Sequence, residues 1–236
     1  MTRLIVAAFA AALALAGCEA APGRPRLDAR ELAPTEVMAF ETLYARNCAG
    51  CHGQTGRLGA ARPLNDPIYL AVVPPERIRQ VIASGIPGTA QPAFALSAGG
   101  PLTDRQIDVL AQGIRDRWQL ASVVADYRVP PYDDGAASGR DPGNVDRGHA
   151  VFVAACVRCH EEDGRGGRKG GGVADPSYLA LVSDQHLRTT VIAGRSDLGM
   201  PDWRLAGTAP PLTPQQVSDV VAWLVAQRRP VPGRLP

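Results

Sequence analysis

Two stretches far apart in the chain carry the same amphipathic stripe. Ile107, Leu110, Ala111 and Ile114 recur at helical spacing, and so do Val217, Val220, Val221 and Leu224. Each stripe follows a helix start. Thr103-Asp104-Arg105-Gln106 and Thr213-Pro214-Gln215-Gln216 both fit a capping box, the second with proline at the first helical position. The correspondence extends upstream. At an offset of about 109, Asp66-Pro67-Ile68-Tyr69-Leu70-Ala71-Val72-Val73 lies over Asp175-Pro176-Ser177-Tyr178-Leu179-Ala180-Leu181-Val182, and Gly85, Pro92 and Phe94 lie over Gly194, Pro201 and Trp203. The chain therefore holds two copies of one unit. Each copy predicts a first helix, over 35–48 and 145–156, a middle helix after the Tyr-Leu-Ala segment, and a capped last helix. Between the copies, Val129 to Asn144 is rich in Pro, Gly, Asp and Ser and reads as a linker.

The N-terminus follows another pattern. Arg3 precedes an apolar run from Leu4 to Ala14 that is too short to span a membrane as a permanent helix, and Leu15-Ala16-Gly17-Cys18 comes next. That tetrad resembles the lipobox of bacterial lipoproteins, which implies that Cys18 becomes the lipidated first residue of an exported protein. A secretory peptide cut at small residues, leaving Cys18 a free thiol, is the alternative. Several acyl chains on one cysteine anchor stably, at about 0.8 kcal/mol per buried methylene. The expected parts are a signal and lipobox over 1–18, a tether over 19–34, domains over 35–120 and 144–229 with a linker over 121–143, and a tail over 230–236.

Composition sharpens the picture at two points. Of the 236 residues 45% are hydrophobic but 5% are aromatic, which leaves two separate cores short of bulky apolar matter. The net charge of +2 is small, and acids and bases nearly balance in each copy, so no nucleic-acid footprint is visible.

The cysteines carry the chemistry. Cys48-Ala49-Gly50-Cys51-His52 and Cys156-Val157-Arg158-Cys159-His160 both have the Cys-x-x-Cys-His form of c-type haem attachment. Two thiols at that spacing reach the two vinyl groups of one porphyrin, and the adjacent imidazole is then held under the iron. With Cys18 taking lipid, all five cysteines are accounted for, and a buried haem supplies the missing apolar bulk. A thioredoxin-like site would want strands beside the motif, and neither copy predicts them. A zinc site would join pairs lying in separate copies.

On these residues both copies resemble class I cytochrome c domains. The tandem arrangement resembles dihaem cytochromes such as the haem-bearing subunit of cbb-type terminal oxidases, over Thr35 to Gln227. The resemblance implies an all-α fold, two tandem cytochrome c domains each of a few helices wrapped around a covalent haem, with two haem c in all. It implies electron transfer in the periplasm, not catalysis, with a quinol-oxidising complex, a terminal oxidase or another cytochrome as redox partner. Its proximal ligands fall on His52 and His160, and its sixth ligand, a Met followed by Pro, on Met200-Pro201, though a gap-filling core Met would look alike. His/Met ligation raises the potential. Gln91 stands in the slot of Met200 in the first copy, so either Gln91 ligates, another group enters, or the iron is five-coordinate. His149 and His186 are the spare histidines, placed on the first and middle helices of the second copy. An open first iron would also suit an enzyme acting on peroxide, nitrogen oxides or sulfur compounds, and permanent membership of a larger oxidase is a third possibility. The family also pairs a Gly on the first helix with an aromatic on the last. Gly148 and Trp223 fit that pairing, and in the first copy Phe40 and Gly113 suggest that the sizes have exchanged helices. The glycine-rich stretch Gly164 to Gly172, with Arg165, Arg168 and Lys169, reads as a flexible loop near a haem edge.

Overall fold

The computed structural model describes residues 31–124, 127–133, 141–205 and 209–229. The signal, Cys18 and most of the tether lie outside them. The chain divides into a leading segment, Met1–Val37, and one body from Met38 to Pro236 that contains both repeats. In the leading segment a single 3-10 turn spans Pro34–Glu36, closed by the Glu36 carboxylate accepting from the Ala33 N–H at 2.8 Å. The first helix thus starts at Phe40, five residues later than its sequence predicts, because this turn is followed by extended backbone at Val37.

Among the described residues, ten α-helices follow in two sets of five. The first repeat has α1 (Phe40–Asn47), α2 (Ala49–His52), α3 (Pro67–Val72), α4 (Pro75–Ser84) and α5 (Asp104–Trp118). The second has α6 (Val145–Ala155), α7 (Val157–His160), α8 (Pro176–Leu181), α9 (Asp184–Ala193) and α10 (Pro214–Ala226). Extended pairing among these residues is limited to two isolated bridges, Ala95 with Leu102 and Arg195 with Met200. The all-helical expectation holds.

Matched side chains start matched helices. The Thr103 hydroxyl accepts from the Gln106 N–H at 3.3 Å while the Gln106 side chain accepts from the Thr103 N–H at 3.0 Å, and Thr213 with Gln216 repeats the exchange at 3.2 and 2.9 Å. The expected middle helix follows the Tyr-Leu-Ala segment as α4 and α9, and the segment itself forms a further short helix, α3 and α8. Asp66 caps α3 by accepting from the N–H groups of Ile68 and Tyr69, and Asp175 caps α8 through those of Ser177 and Tyr178. Each cap stands before a proline at the first helical position, where the missing N–H has no cost.

The first and last helices of the two repeats pack differently. A Cβ on Gly148 of α6 would lie 2.0 Å from the Asp219 carbonyl oxygen of α10, so those backbones touch. A Cβ on Gly113 of α5 would lie 2.3 Å from the Phe40 ring of α1, so a side chain separates that pair. The exchange of sizes is nonetheless not one for one. Trp223 stands beside Gly148, its Cβ 2.8 Å from where a Gly148 Cβ would lie, while its ring packs on Phe152 at a distance of 4.2 Å and reaches toward Gly164. The first repeat has its own ring in that place. Trp118 lies edge-on to Tyr44 at 5.4 Å and reaches Gly56, the register partner of Gly164. Phe40 is thus an addition beside a retained aromatic pair.

The repeats share a seam within the one body. Ile68 and Val72 of α3 pack on the second-repeat cluster of Ile192, Trp203, Leu212 and Val217. Arg188, 3% exposed, donates from Nε and Nη2 to the Pro131 carbonyl and from Nη1 to the Ser218 hydroxyl, which ties the connecting segment to α9. No helix of the described residues is long and apolar enough to cross a membrane.

Phe40→Gly should destabilise the body by about 3 kcal/mol or more, the range for emptying a large aromatic site. Gly113→Ala should also destabilise the wild type, but cost much less in the Phe40→Gly background where the clashing ring is gone. Chemical denaturation of the two singles and the double checks this, and strictly additive effects would refute the contact.

Candidate haem sites

In each repeat the first cysteine sits at a break between helices. Cys48 and Cys156 keep helical ψ but widen φ to −119° and −117°, which ends α1 and α6 and opens the four-residue turns α2 and α7 that carry the second cysteine and the histidine. All four thiols are free. Burial first, then the neighbouring cysteine, pushes the Cys48 and Cys156 thiols up to about 11, so both stand protonated at neutral pH.

The chain after each histidine folds back over its ring. His52 Nδ1 lies 2.7 Å from the Arg62 carbonyl oxygen, and His160 Nδ1 lies 2.8 Å from that of Gly171. A carbonyl only accepts, so in both rings Nδ1 carries the proton and Nε2 is left with a bare lone pair. Residues 62 and 171 are register partners at the offset of 109. This adds a definite role to the glycine-rich stretch expected as a loop near a haem edge. Its backbone supplies the acceptor for His160, and a Cβ on Gly170 would crowd that ring at 3.1 Å.

The return requires left-handed backbone immediately after the histidine. Gly53 takes φ +80°, ψ 154° without strain, whereas Glu161, at the matching position, holds φ +61°, ψ 165°, a region close to glycine's own.

On the other side of each site, Gln91 and Met200 hold one backbone position. The Ile86 N–H donates to the Gln91 carbonyl at 3.0 Å, and the Arg195 N–H to the Met200 carbonyl at 3.0 Å. Both turns pass tightly against a left-handed glycine that ends the preceding helix, Gly85 after α4 and Gly194 after α9. The Gln91 side chain donates from Nε2 to the Pro92 carbonyl at 3.2 Å and lies near enough to His52 to raise its pKa, which burial lowers more strongly. In the first repeat the two expected ligand positions therefore converge. Met200 lines a cleft of about 470 Å³ together with Ile68, Tyr127 and Pro201.

The spare histidines lie elsewhere. His149 is exposed on α6 and stacks on Trp223 at 5.6 Å. His186 on α9 packs edge-on to Tyr178, and burial, followed by Arg62 and Arg195, pushes it down to about 4.

The donor set fits haem c: a free thiol pair, an imidazole turned to leave one lone pair, and an opposing turn presenting a thioether or an amide. Two helical repeats so equipped define a tandem c-type cytochrome. The chain belongs to the family described as cytochrome c oxidase, cbb3-type, subunit III, whose model matches residues 35–112 and again 143–224. It is similar to the cbb3-type cytochrome c oxidase subunit FixP of Rhizobium meliloti, with 29% identity over 71% of this chain and 54% of the relative. It is likewise similar to FixP of Azorhizobium caulinodans, with 29% identity over 78% and 57%. Against the subunit CcoP of Rubrivivax gelatinosus the identity is 29% over 56% and 36%. The chain thus spans about half the length, or less, of these relatives. Among solved structures, a chain of the reducing HAO-like protein complex of Kuenenia stuttgartiensis aligns with TM-score 0.49 and 16% identity, covering 85% of this chain and 100% of that one.

Replacing Glu161 by Gly should remove left-handed strain worth about 1–3 kcal/mol, less the extra entropy glycine brings to the unfolded chain. The net expectation is a gain of about 1 kcal/mol for the second repeat, read as a higher melting temperature. A loss would show that the Glu161 backbone is unstrained.

Proposed function

We propose that the chain is a periplasmic, lipid-anchored dihaem cytochrome that carries electrons between components of a respiratory or photosynthetic chain and is not itself an enzyme. The observation that carries this reading is the repeated constellation of a free thiol pair beside an imidazole whose Nδ1 is tied to a backbone carbonyl. In this reading the domains span 35–120 and 144–229. Cys48 and Cys51 hold the first haem and Cys156 and Cys159 the second, with His52 and His160 as proximal ligands. Met200 completes the second site and Gln91 faces the first. Haem c supplies a reversible one-electron iron couple.

The residues of the chain set the rest. Arg62 and Gly171 hold the imidazoles through their carbonyls, and the apolar helices exclude water. At position 200 a thioether favours the ferrous state and raises the potential, whereas at position 91 a neutral amide is a poorer partner for ferrous iron. The potential of the first site should therefore lie below that of the second, ordering electron flow from the first domain to the second. A lipid on Cys18 would keep both domains beside a membrane complex. The relatives are named as subunits of cbb3-type oxidases, which supports a terminal oxidase as the redox partner, with a quinol-oxidising complex or another cytochrome on the donor side.

Haem quantitation on purified holoprotein should give two covalent haems per chain, and one would end the tandem reading. Cys18→Ala should release the protein from washed membranes. Gln91→Met should raise the lower of two resolved midpoints and reduce carbon monoxide binding, while Met200→Gln should lower the higher one. A wild type with two indistinguishable midpoints, both sites refusing carbon monoxide, would make Gln91 a loop residue only.

A further inference from the structure

The turn that presents Met200 closes on one residue. The Arg195 N–H donates to the Met200 carbonyl and the Met200 N–H returns to the Arg195 carbonyl, each at 3.0 Å, while the Leu198 N–H reaches the same carbonyl at 2.8 Å. The Arg195 guanidinium is held by Asp197, Nε to Oδ1 at 2.9 Å and Nη2 to Oδ2 at 3.0 Å, and the Asp197 side chain is wholly buried. Gly194, one residue earlier, passes so close to the turn that a Cβ there would lie 2.5 Å from the Pro201 carbonyl oxygen.

A loop of the other repeat reaches this segment at three points. Arg57 Nη2 donates to the Ser196 hydroxyl at 3.2 Å. Arg62 Nη2 donates to the Thr190 hydroxyl at 2.7 Å and lies 3.5 Å from the Gly194 carbonyl oxygen. Between them, Arg195 holds the Asp197 carboxyl below its usual range, and the Leu58 amide lies near enough to add to the effect. Leu58 takes φ +60° although the residue is 75% exposed. A bulky residue keeps that backbone only where its surroundings over-determine it, so the conformation serves the amide rather than the side chain. The same loop carries the Arg62 carbonyl that orients His52.

The turn that presents Gln91 is built otherwise. Ile86 stands in the slot of Arg195, and the Gln91 N–H donates to the Thr89 hydroxyl at 3.2 Å. It meets the second repeat through a long bond, from the Ala90 N–H to the Leu181 carbonyl at 3.4 Å.

We infer that Arg57, Leu58 and Arg62 are positioning residues for the axial ligand of the opposite site, so that the loop orienting His52 in the first repeat also steadies Met200 in the second. This role rests on the reading of Met200 as a ligand. A thioether carries no charge to bind it to iron, and its hold depends on the rigidity of the turn that offers it. Ligation at the second site therefore depends on the fold of the first repeat.

Matured holoprotein tests this through the far-red charge-transfer band of thioether-ligated ferric haem, the higher midpoint, and carbon monoxide binding at the second haem. Thr190→Val combined with Arg57→Ala removes two of the contacts and leaves both haem motifs untouched. This double variant should keep two haems, weaken the band, lower the higher midpoint and raise severalfold the fraction of the second haem that takes carbon monoxide. Leu58→Pro, which loses the amide hydrogen and cannot take positive φ, should do the same from the first repeat alone, whereas Leu58→Gly should leave the band unchanged. A double variant that melts earlier with band, midpoint and carbon monoxide binding all unmoved would make these contacts a clamp between repeats and overturn the inference, whether or not Leu58→Pro matures. A wild type without the band, or a band that survives Met200→Gln, would instead overturn the reading of Met200 as a ligand.

Discussion

An imidazole offers a metal a usable lone pair in a fixed direction only when the proton on its other nitrogen is held, and here a backbone carbonyl holds it in both repeats. Much of the local structure serves that bond. The helix must break at the first cysteine, the chain must reverse just after the histidine, and a loop must return to bring residue 62 or 171 under the ring. The left-handed backbone at Gly53 and Glu161 is one consequence, and Asp66 and Asp175, which start the next helix four residues after each carbonyl, are another. A shift of the return loop by one residue would aim a different group at Nδ1 and turn the ring.

Once that frame is set, the two repeats are free to differ around it. The aromatic pair under the loop survives as Tyr44 with Trp118 and as Phe152 with Trp223, although the two tryptophans do not share a register position. Tyr44 adds a hydrogen bond from its hydroxyl to the Gly53 carbonyl at 3.0 Å, which the phenyl ring of Phe152 lacks. The wider helix crossing of the first repeat then accepts Phe40, with the Arg117 guanidinium over its outer face at 4.1 Å. The same backbone slot takes Gln91 in one copy and Met200 in the other, so the frame is conserved while the chemistry presented to it is not.

What could be seen in the sequence follows from range. Capping boxes, the cysteine motifs, the apolar stripes and the Gln91–Met200 register are local or repeat with a fixed offset, and all were legible. The helix at Asp66-Pro67 is signalled as well, since Asp followed by Pro is a cap followed by a first-turn residue. The acceptor carbonyls had no side-chain signature, because a backbone oxygen works equally under Arg62 and Gly171. The role of Trp118 was hidden for a geometric reason. It lies off the register of Trp223 and reaches the same place only because the helices of the first repeat cross farther apart.

Arg62 marks where comparison of the repeats necessarily fails. Its partner position is Gly171, so one backbone function is common to both copies while a side chain exists in one of them. That side chain lies over Tyr69 of its own repeat and also crosses to Thr190, and α3 and the segment held by Arg188 cross with it. A repeat folded alone would expose these groups. Built together, they fix two sites in one body, and any electron passing between those sites meets a constant gap rather than one set by a flexible linker. The seam is therefore a feature that neither copy could specify by itself.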